Sequence, residues 1–553
     1  MEMVFIWLLV IFSITGTSVL GDLACIPRQG SPGQGYICVC NSTYCDTIDR
    51  PAPLARGLFH WYSTSNSTPG FSHTTGTFQP EPSFSNSSGG VFRINASVTF
   101  QEFLGFGAAF TDTSGILISS LPAGAQDNLI ESYFGTSGIE YNLGRLPIGG
   151  TDFSPRPYTL DDVPFDEDLQ HFNLTEEDHS YKIPYIKKAL SVSERGINLT
   201  GCSWMAPAWM KDNANNRRGY LRAKYFHVWA QYHIKFLEAY QKEGIDIWGL
   251  SGGNEVMLSM MLPVALNSLN CTLETAPIQR LWLKEHLKPL LVASNFSNVK
   301  FLGLEDARLF APYWMSRFAE DPEAYQYLDG LALHWYFDFF SSPSILSKLH
   351  EDFPDKMIMY TESSINFAPM SKYLGPWMVA ALYSHNIIEN LSHWTQSYMD
   401  WNLAVDLEGG PSLGLDVAGA IVVNSTAGEF YKQPVFYAIG HFSKFIPPGS
   451  RIVQVETGQN QTSRAGVGLS LMRMVQEENE ELFLSATASP GPPSPTPSIG
   501  SSCLATANPD GSYSVIVHNL SNETTTVKIE DPRLGYINVD IDAFSVNSFI
   551  YWL

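Results

Sequence analysis

Between about residue 100 and residue 402 a short apolar run recurs eight times: FLGFGAAFTD, IEYNLGRLPIGGTDF, INLTGCSW, IDIWGLSGGNE, VKFLGLED, LDGLALHWYFDF, KMIMYTES and HWTQSYMDWNL. Most of the intervals read as amphipathic helices, with apolar residues three and four apart in QDNLIESYF, YFHVWAQYHIKFLEAYQKEG, IQRLWLKEHLKPLLVAS, APYWMSRFAEDPEAYQYL and WMVAALYSHNIIENL. Strands that alternate with helices are joined by crossovers, which makes them parallel and buries both of their faces. The class is therefore α/β. Eight such units are what a (β/α)8 TIM barrel needs, with FYKQPVFYAIGHFSKFI as the last helix; an open doubly wound sheet is the alternative.

The flanks have another period. Residues 22 to 95 and the chain after 450 carry short alternating runs such as SYSVIVHNL and TTTVKIE between Gly, Asn, Ser and Pro. They imply an all-β module built from both chain ends, and ASPGPPSPTPSIGSS within it has little to bury and reads as an exposed loop or linker. At 553 residues the chain is too long for one core.

MEMVFIWLLVIFSITGTSVLG is an apolar run ending in small residues, with Val19 and Gly21 placed as before a cleavage site. It reads as a signal peptide, with an uncleaved anchor as the alternative because no Lys or Arg precedes the run. No later stretch has the apolar length of a membrane helix. Sequons at Asn41, Asn66, Asn95, Asn173, Asn198, Asn295, Asn424 and Asn519 agree with secretory entry. So do Cys25, Cys38, Cys40 and Cys45, whose crowding suggests two local disulfides; their spacing does not suit structural zinc. Cys202, Cys271 and Cys503 are scattered, and seven being odd, at least one thiol is free or pairs intermolecularly. A net charge of −22 opposes nucleic-acid binding, and it suits an acidic compartment. No metal-ligand run and no phosphate loop is present, so no cofactor is expected.

WGLSGGNEVML, residues 248–258, holds two candidate catalysts. Gly249, Ser251 and Gly253 spell the G-x-S-x-G frame of a serine hydrolase, but no HGGG-like oxyanion loop precedes it. Glu255 ends the fourth run and Glu362 the seventh, and barrel catalysts stand at the carboxyl ends of strands. Asp112, Asp152, Asp306, Tyr336 and Trp401 with Asn402 also end apolar runs. Two carboxylates across one pocket are the minimum apparatus of glycoside hydrolysis: one protonated acid, one ionised base or nucleophile.

The runs FLGFGAAFTD, YNLGRLPIGGTDFS, SWMAPAWMK, GGNE, ALHWYFDF, YTES, DWNLAVDLEGGP and FYKQPVFYAIGHFSKFIP, with CVCNSTYC, resemble in order the acid β-glucosidases of glycoside hydrolase family 30. The resemblance implies a TIM barrel with a β-sandwich and a small three-stranded sheet formed from both chain ends. It divides the chain into a leader (1–21), the small disulfide-bearing sheet (22–48 and 403–434), the sandwich (49–96 and 450–553) and the barrel (97–402 and 435–449). It implies a retaining β-glucosidase that hydrolyses glucosylceramide, with Glu362 as nucleophile and Glu255 as acid/base. Asn254 is implied to bond the sugar 2-hydroxyl, and Asp152, Trp204 and Trp401 to bind glucose. Tyr336, His334 and Arg145 are implied to orient the two glutamates. A glycosphingolipid substrate at a membrane surface, a saposin-like activator and a lysosomal or secreted location complete the expectation. A related β-glycosidase and a catalytically silent sugar-binding paralogue are the alternatives.

Four departures stand out. Val256 replaces the proline of Asn-Glu-Pro, which removes a fixed φ from the turn, and Gly253 stands where an acidic residue is expected. Ser363-Ser364 replaces Ala-Cys, and the loop SMMLPVALNSLNCTLETAP diverges broadly.

Overall fold

The computed structural model describes residues 22–80, 89–216, 218–261, 271–366, 370–457 and 501–553. The signal-peptide run lies outside them, as do most of the Pro/Ser-rich segment and residues 262–270 of the divergent loop. Among the described residues no helix is long and apolar enough to cross a membrane.

Each of the eight runs holds one strand: β1 (Gly105–Ala109), β2 (Leu143–Ile148), β3 (Asn198–Ser203), β4 (Gly249–Ser251), β5 (Lys300–Ala307), β6 (Gly330–His334), β7 (Met357–Glu362) and β8 (Ser397–Asn402). They pair in chain order, all parallel, and β8 pairs β1 to close the barrel. Closure is why the runs are apolar throughout: their outer face meets helices and their inner face meets other strands. Gly107 is required at this approach, because a Cβ there would overlap the Leu143 carbonyl of β2.

Leu143, Leu302, Ala332, Met359 and Met399, from five strands, form one buried cluster. Arg145 and His334 follow Leu143 and Ala332 by two positions, so they share the inward face one layer nearer the carboxyl ends. The apolar floor there gives way to charge.

Helix Trp377–Leu391 is buried along its whole length, packed against helix Pro434–Ser443 and against strands Ser502–Ala507 and Ser512–Asn519. The last helix starts later than its sequence run. Phe430 to Lys432 end a strand, Glu429–Lys432, and the helix opens at Pro434, whose missing N–H the first turn does not use.

The small sheet has five strands where three were expected, in the order Pro27–Gln29, Tyr36–Cys40, Glu429–Lys432, Ile421–Asn424, Val405–Asp406. The two additional edge strands are only three and two residues long. Disulfides Cys25–Cys38 and Cys40–Cys45 close short loops beside it, and Cys202, Cys271 and Cys503 are buried and form no disulfide among the described residues.

Nine further strands form one antiparallel-rich sheet whose edges, Ser72–Thr77 and Gly535–Ile541, are brought together by the Gln79 to Tyr536 bridge. It folds around its own core, which includes Phe59, Phe92, Val515, Val527, Ile529 and Phe549.

Among the sequons, Asn519 is a correction. It is 1% exposed and its Nδ2 donates to the Glu523 and Asp542 carbonyls, so the side chain is closed to a glycan in this fold. Asn66, Asn173, Asn198 and Asn295 are exposed, and Asn41, Asn95 and Asn424 partly so.

Candidate active site

Strands β2 to β8 each bring a polar or aromatic side chain to the carboxyl end of the barrel. Glu362 is the last residue of β7 and is 4% exposed. Arg145 Nη1 on β2 donates to its Oε2, and the Tyr336 hydroxyl just past β6 donates to its Oε1 at 2.6 Å. Both oxygens thus accept a hydrogen bond that fixes the orientation of the carboxylate.

Glu255 lies four residues beyond β4 and is 5% exposed. Its φ is +50°, its N–H donates to the Glu305 carbonyl at 2.8 Å, and its Oε1 lies 3.1 Å from His334 Nδ1. One oxygen each of Glu255 and Glu362 and one ring nitrogen of His334 lie within 4.8 Å of one another. The two carboxyls face each other across the barrel mouth.

A third acid stands below them. Glu305, on a bulge of β5 where Leu304 and Glu305 have φ of +75° and +56°, has no exposed surface. Burial alone would raise its pKa, but the charge of Arg145 and bonds from His334 (2.8 Å) and Thr361 (2.7 Å) hold it at about 2. For His334 burial would lower the pKa, yet the charge of Glu362 and the bonds to Glu255 and Glu305 hold it at about 10. Two cations, Arg145 and His334, therefore serve three carboxyls. Glu255, with no arginine bond in this network, is the one left short: burial raises its pKa and the charge of Glu362 adds to this, against the His334 bond. A divalent ion could use the Glu255, His334 and Glu362 atoms only by displacing the proton that the neighbours of His334 stabilise.

Around this network lie the remaining expected residues. Arg145 Nη2 donates to Asn254 Oδ1 at 2.7 Å, to Glu305 and to the Cys202 thiol. Trp204 and Trp401 stack at 5.2 Å and the guanidinium sits 4.5 and 5.4 Å from their centroids. Asp152 is partly exposed on the loop after β2; burial of its carboxyl, then Glu362 and Glu255, raise its pKa. That loop is held from two directions. Asp112 accepts from Ser154 and Tyr158 beneath it, and the Asp152 carbonyl accepts from Leu413 N in the segment that follows β8.

Ser251 is fully buried within β4, opposite Cys202 of β3. A nucleophile elbow lifts its serine to the surface, and this one is inside the barrel wall.

Residues 103–446 match the Glycosyl hydrolase family 30 TIM-barrel domain. The chain belongs to glycosyl hydrolase family 30. Residues 494–549 of this family 30 enzyme match the family's beta sandwich domain. Over 543 residues the glycosidase is 35% identical to the lysosomal acid glucosylceramidase of Mus musculus, covering 96% of each chain. It is 38% identical over 429 residues to putative glucosylceramidase 4 of Caenorhabditis elegans, covering 75% of this chain and 80% of that one. Its fold is shared with SrfJ of Salmonella typhimurium, with a TM-score of 0.76 at 21% identity over 90% of this chain and 100% of that one.

Sequence reasoning missed Glu305 and Glu274. VKFLGLED ends in two adjacent acids, and only the bulge decides that Glu305 turns inward while Asp306 accepts from Leu258 N and Ala307 N. The doubled acid was the available signal. Glu274, which borders the Glu255 turn, gave none: it lies in the divergent loop.

Proposed function

We propose that this enzyme is a retaining β-glucosidase that hydrolyses glucosylceramide to glucose and ceramide. The observation that carries the mechanism is the approach of Glu255 and Glu362 oxygens to within 4.8 Å. Retaining sites need carboxyls about 5–5.5 Å apart, whereas inverting sites keep about 6.5–9.5 Å to admit a water.

Glu362 attacks the anomeric carbon as Glu255 gives its proton to the departing glycosidic oxygen. The glycosyl ester then neutralises Glu362. Loss of that charge lowers the pKa of Glu255, which takes a proton from water as the water oxygen attacks the anomeric carbon and frees Glu362. One neighbouring charge, present and then absent, switches Glu255 from acid to base. Arg145, Tyr336 and His334 orient the pair. Asn254 bonds the 2-hydroxyl, and Asp152, Trp204 and Trp401 hold the glucose ring.

The glycolipid substrate is supported by the mouse and nematode relatives, both glucosylceramidases by name. A lysosomal or secreted location is supported by the mouse relative and by the signal-peptide reading and exposed sequons, and lipid would be met at a membrane surface. A saposin-like activator belongs to this proposal only through the family resemblance, and the net charge of −22 counts against docking on anionic bilayers except where low pH or local patches offset it.

Incubation with a 2-fluoro β-glucosyl inactivator at acidic pH, followed by peptide mapping, tests the mechanism. Label on Glu362 is expected. Label elsewhere, or none on folded protein, overturns it. Release of ceramide from glucosylceramide vesicles tests the substrate.

A further inference from the structure

The turn that carries Glu255 lacks the acidic residue expected at position 253 and the proline expected at 256. Glu255 nevertheless sits in left-handed backbone, which a non-glycine residue keeps only where its surroundings hold it. Part of that hold comes from outside the barrel.

Glu274 follows the short strand Thr272–Leu273 and is 4% exposed. Its Oε1 lies 3.1 Å from where a Cβ on Gly252 would stand and 3.4 Å from that of Gly253. Gln279 Nε2 donates to the same oxygen at 2.9 Å. Gln279 Oε1 in turn accepts from Leu304 N, beside Glu305, and from the Trp314 indole, at 3.3 and 2.9 Å. A Cβ on Gly252 would overlap the Gln279 amide, so glycine there is what lets Gln279 in. The strand before Glu274 is tied to the sugar pocket, since Thr272 N donates to the Trp204 carbonyl at 2.9 Å. Glu274 thus stands where the Trp204 segment, the Glu255 turn and the β5 bulge meet.

We infer that Glu274 is a positioning residue for Glu255: its carboxyl packs on Gly252 and Gly253 and, through Gln279, locks the turn to the bulge that carries Glu305. An acidic side chain on residue 253 would compete for the same space, so this chain supplies a carboxyl to the turn from a different segment. Burial, opposed only in part by the Gln279 bond, raises the Glu274 pKa to about 8, which keeps it protonated in acid. The inference rests on the acid/base assignment of Glu255.

The test compares E274A, E274Q and E255A on aryl β-glucosides with good and poor leaving groups. A misplaced acid slows only substrates that need their leaving oxygen protonated. E274A should lose about 10–100-fold in kcat/KM on the phenyl glucoside and less than about threefold on the 2,4-dinitrophenyl glucoside. E274Q, neutral and of the same shape, should stay within about threefold of the parent on both. Equal losses of E274A on both substrates, no loss on either, or E274Q falling with E274A overturns the inference. Should E274A fail to fold, E274L, which fills the space without the hydrogen bond, is read the same way. A graded response in E255A with a flat one in E274A removes this inference alone. A flat response in E255A removes the acid/base assignment and the inference with it.

Discussion

The two halves of the site are built differently. Glu362 is the terminal residue of strand β7, whose pairing with β6 shifts by one residue just before it, and its partners Arg145 and Tyr336 come from or closely follow other barrel strands. Glu255 sits past a three-residue strand, on a turn with positive φ, and is held by the Glu305 carbonyl on the β5 bulge and by His334 at the end of β6. A strand end carries one carboxyl, and a turn held by its neighbours carries the other. The first should tolerate sequence change around it, and the second should depend on particular neighbours.

The strongest test of the contrast is E362Q. It should lose on the order of 10⁴-fold or more in turnover on every leaving group, with melting temperature unchanged within a few degrees, because the strand still places the side chain. E255Q should cost about 10²–10⁴-fold on poor leaving groups and far less on 2,4-dinitrophenyl glucoside glycosylation. Leaving-group series on purified variants check both, and a uniform loss in E255Q would erase the distinction between the halves.

The shared support comes next. The folded pKa of Glu305 is about 2 against an ordinary 4.5, so its ionisation stabilises the fold above about pH 4.5, and this is lost as pH falls towards 2. E305Q should be less stable by about 3 kcal/mol at pH 6, with the gap closing towards pH 2. Denaturant titrations across that range measure it.

How much of this could be read beforehand follows the same division. The apolar runs ending in Glu362 and in Trp401 with Asn402 announced their place, because strands of a closed barrel change from apolar to polar only at their ends. Glu305 was hidden by a one-residue bulge that no two-residue period reveals. Glu274 reaches the turn from a loop whose sequence has no period, and Gln279 reaches it as a polar position in the first turns of the helix Ala276–Trp282. The outer strands of the small sheet were too short to register, and Asn519 matched the sequon pattern while its burial depends on the Glu523 and Asp542 carbonyls.

Smaller effects sharpen the contrast on the turn side. His334 draws the pKa of Glu255 down, so in H334N the basic limb of kcat/KM should move up. A pH–rate profile decides it, and a downward move would contradict the described electrostatics. Asp306 accepts from Leu258 N in the helix Val256–Met261 that begins directly after Glu255. D306A should cost about 1 kcal/mol of stability, read as a lowered melting temperature.

The small sheet also sets a schedule for biosynthesis. Cys40 pairs with Phe430, 390 positions later, and the segment that clasps the Asp152 loop through Leu413 emerges almost as late. Its two disulfides span only 13 and 5 residues and can close early. At about 5–20 residues per second the strand Tyr36–Cys40 then waits roughly 20–80 s for its partner. During that interval a hydrophobic edge is left open in a compartment where chaperones, and not the nascent chain, must keep it from other strands.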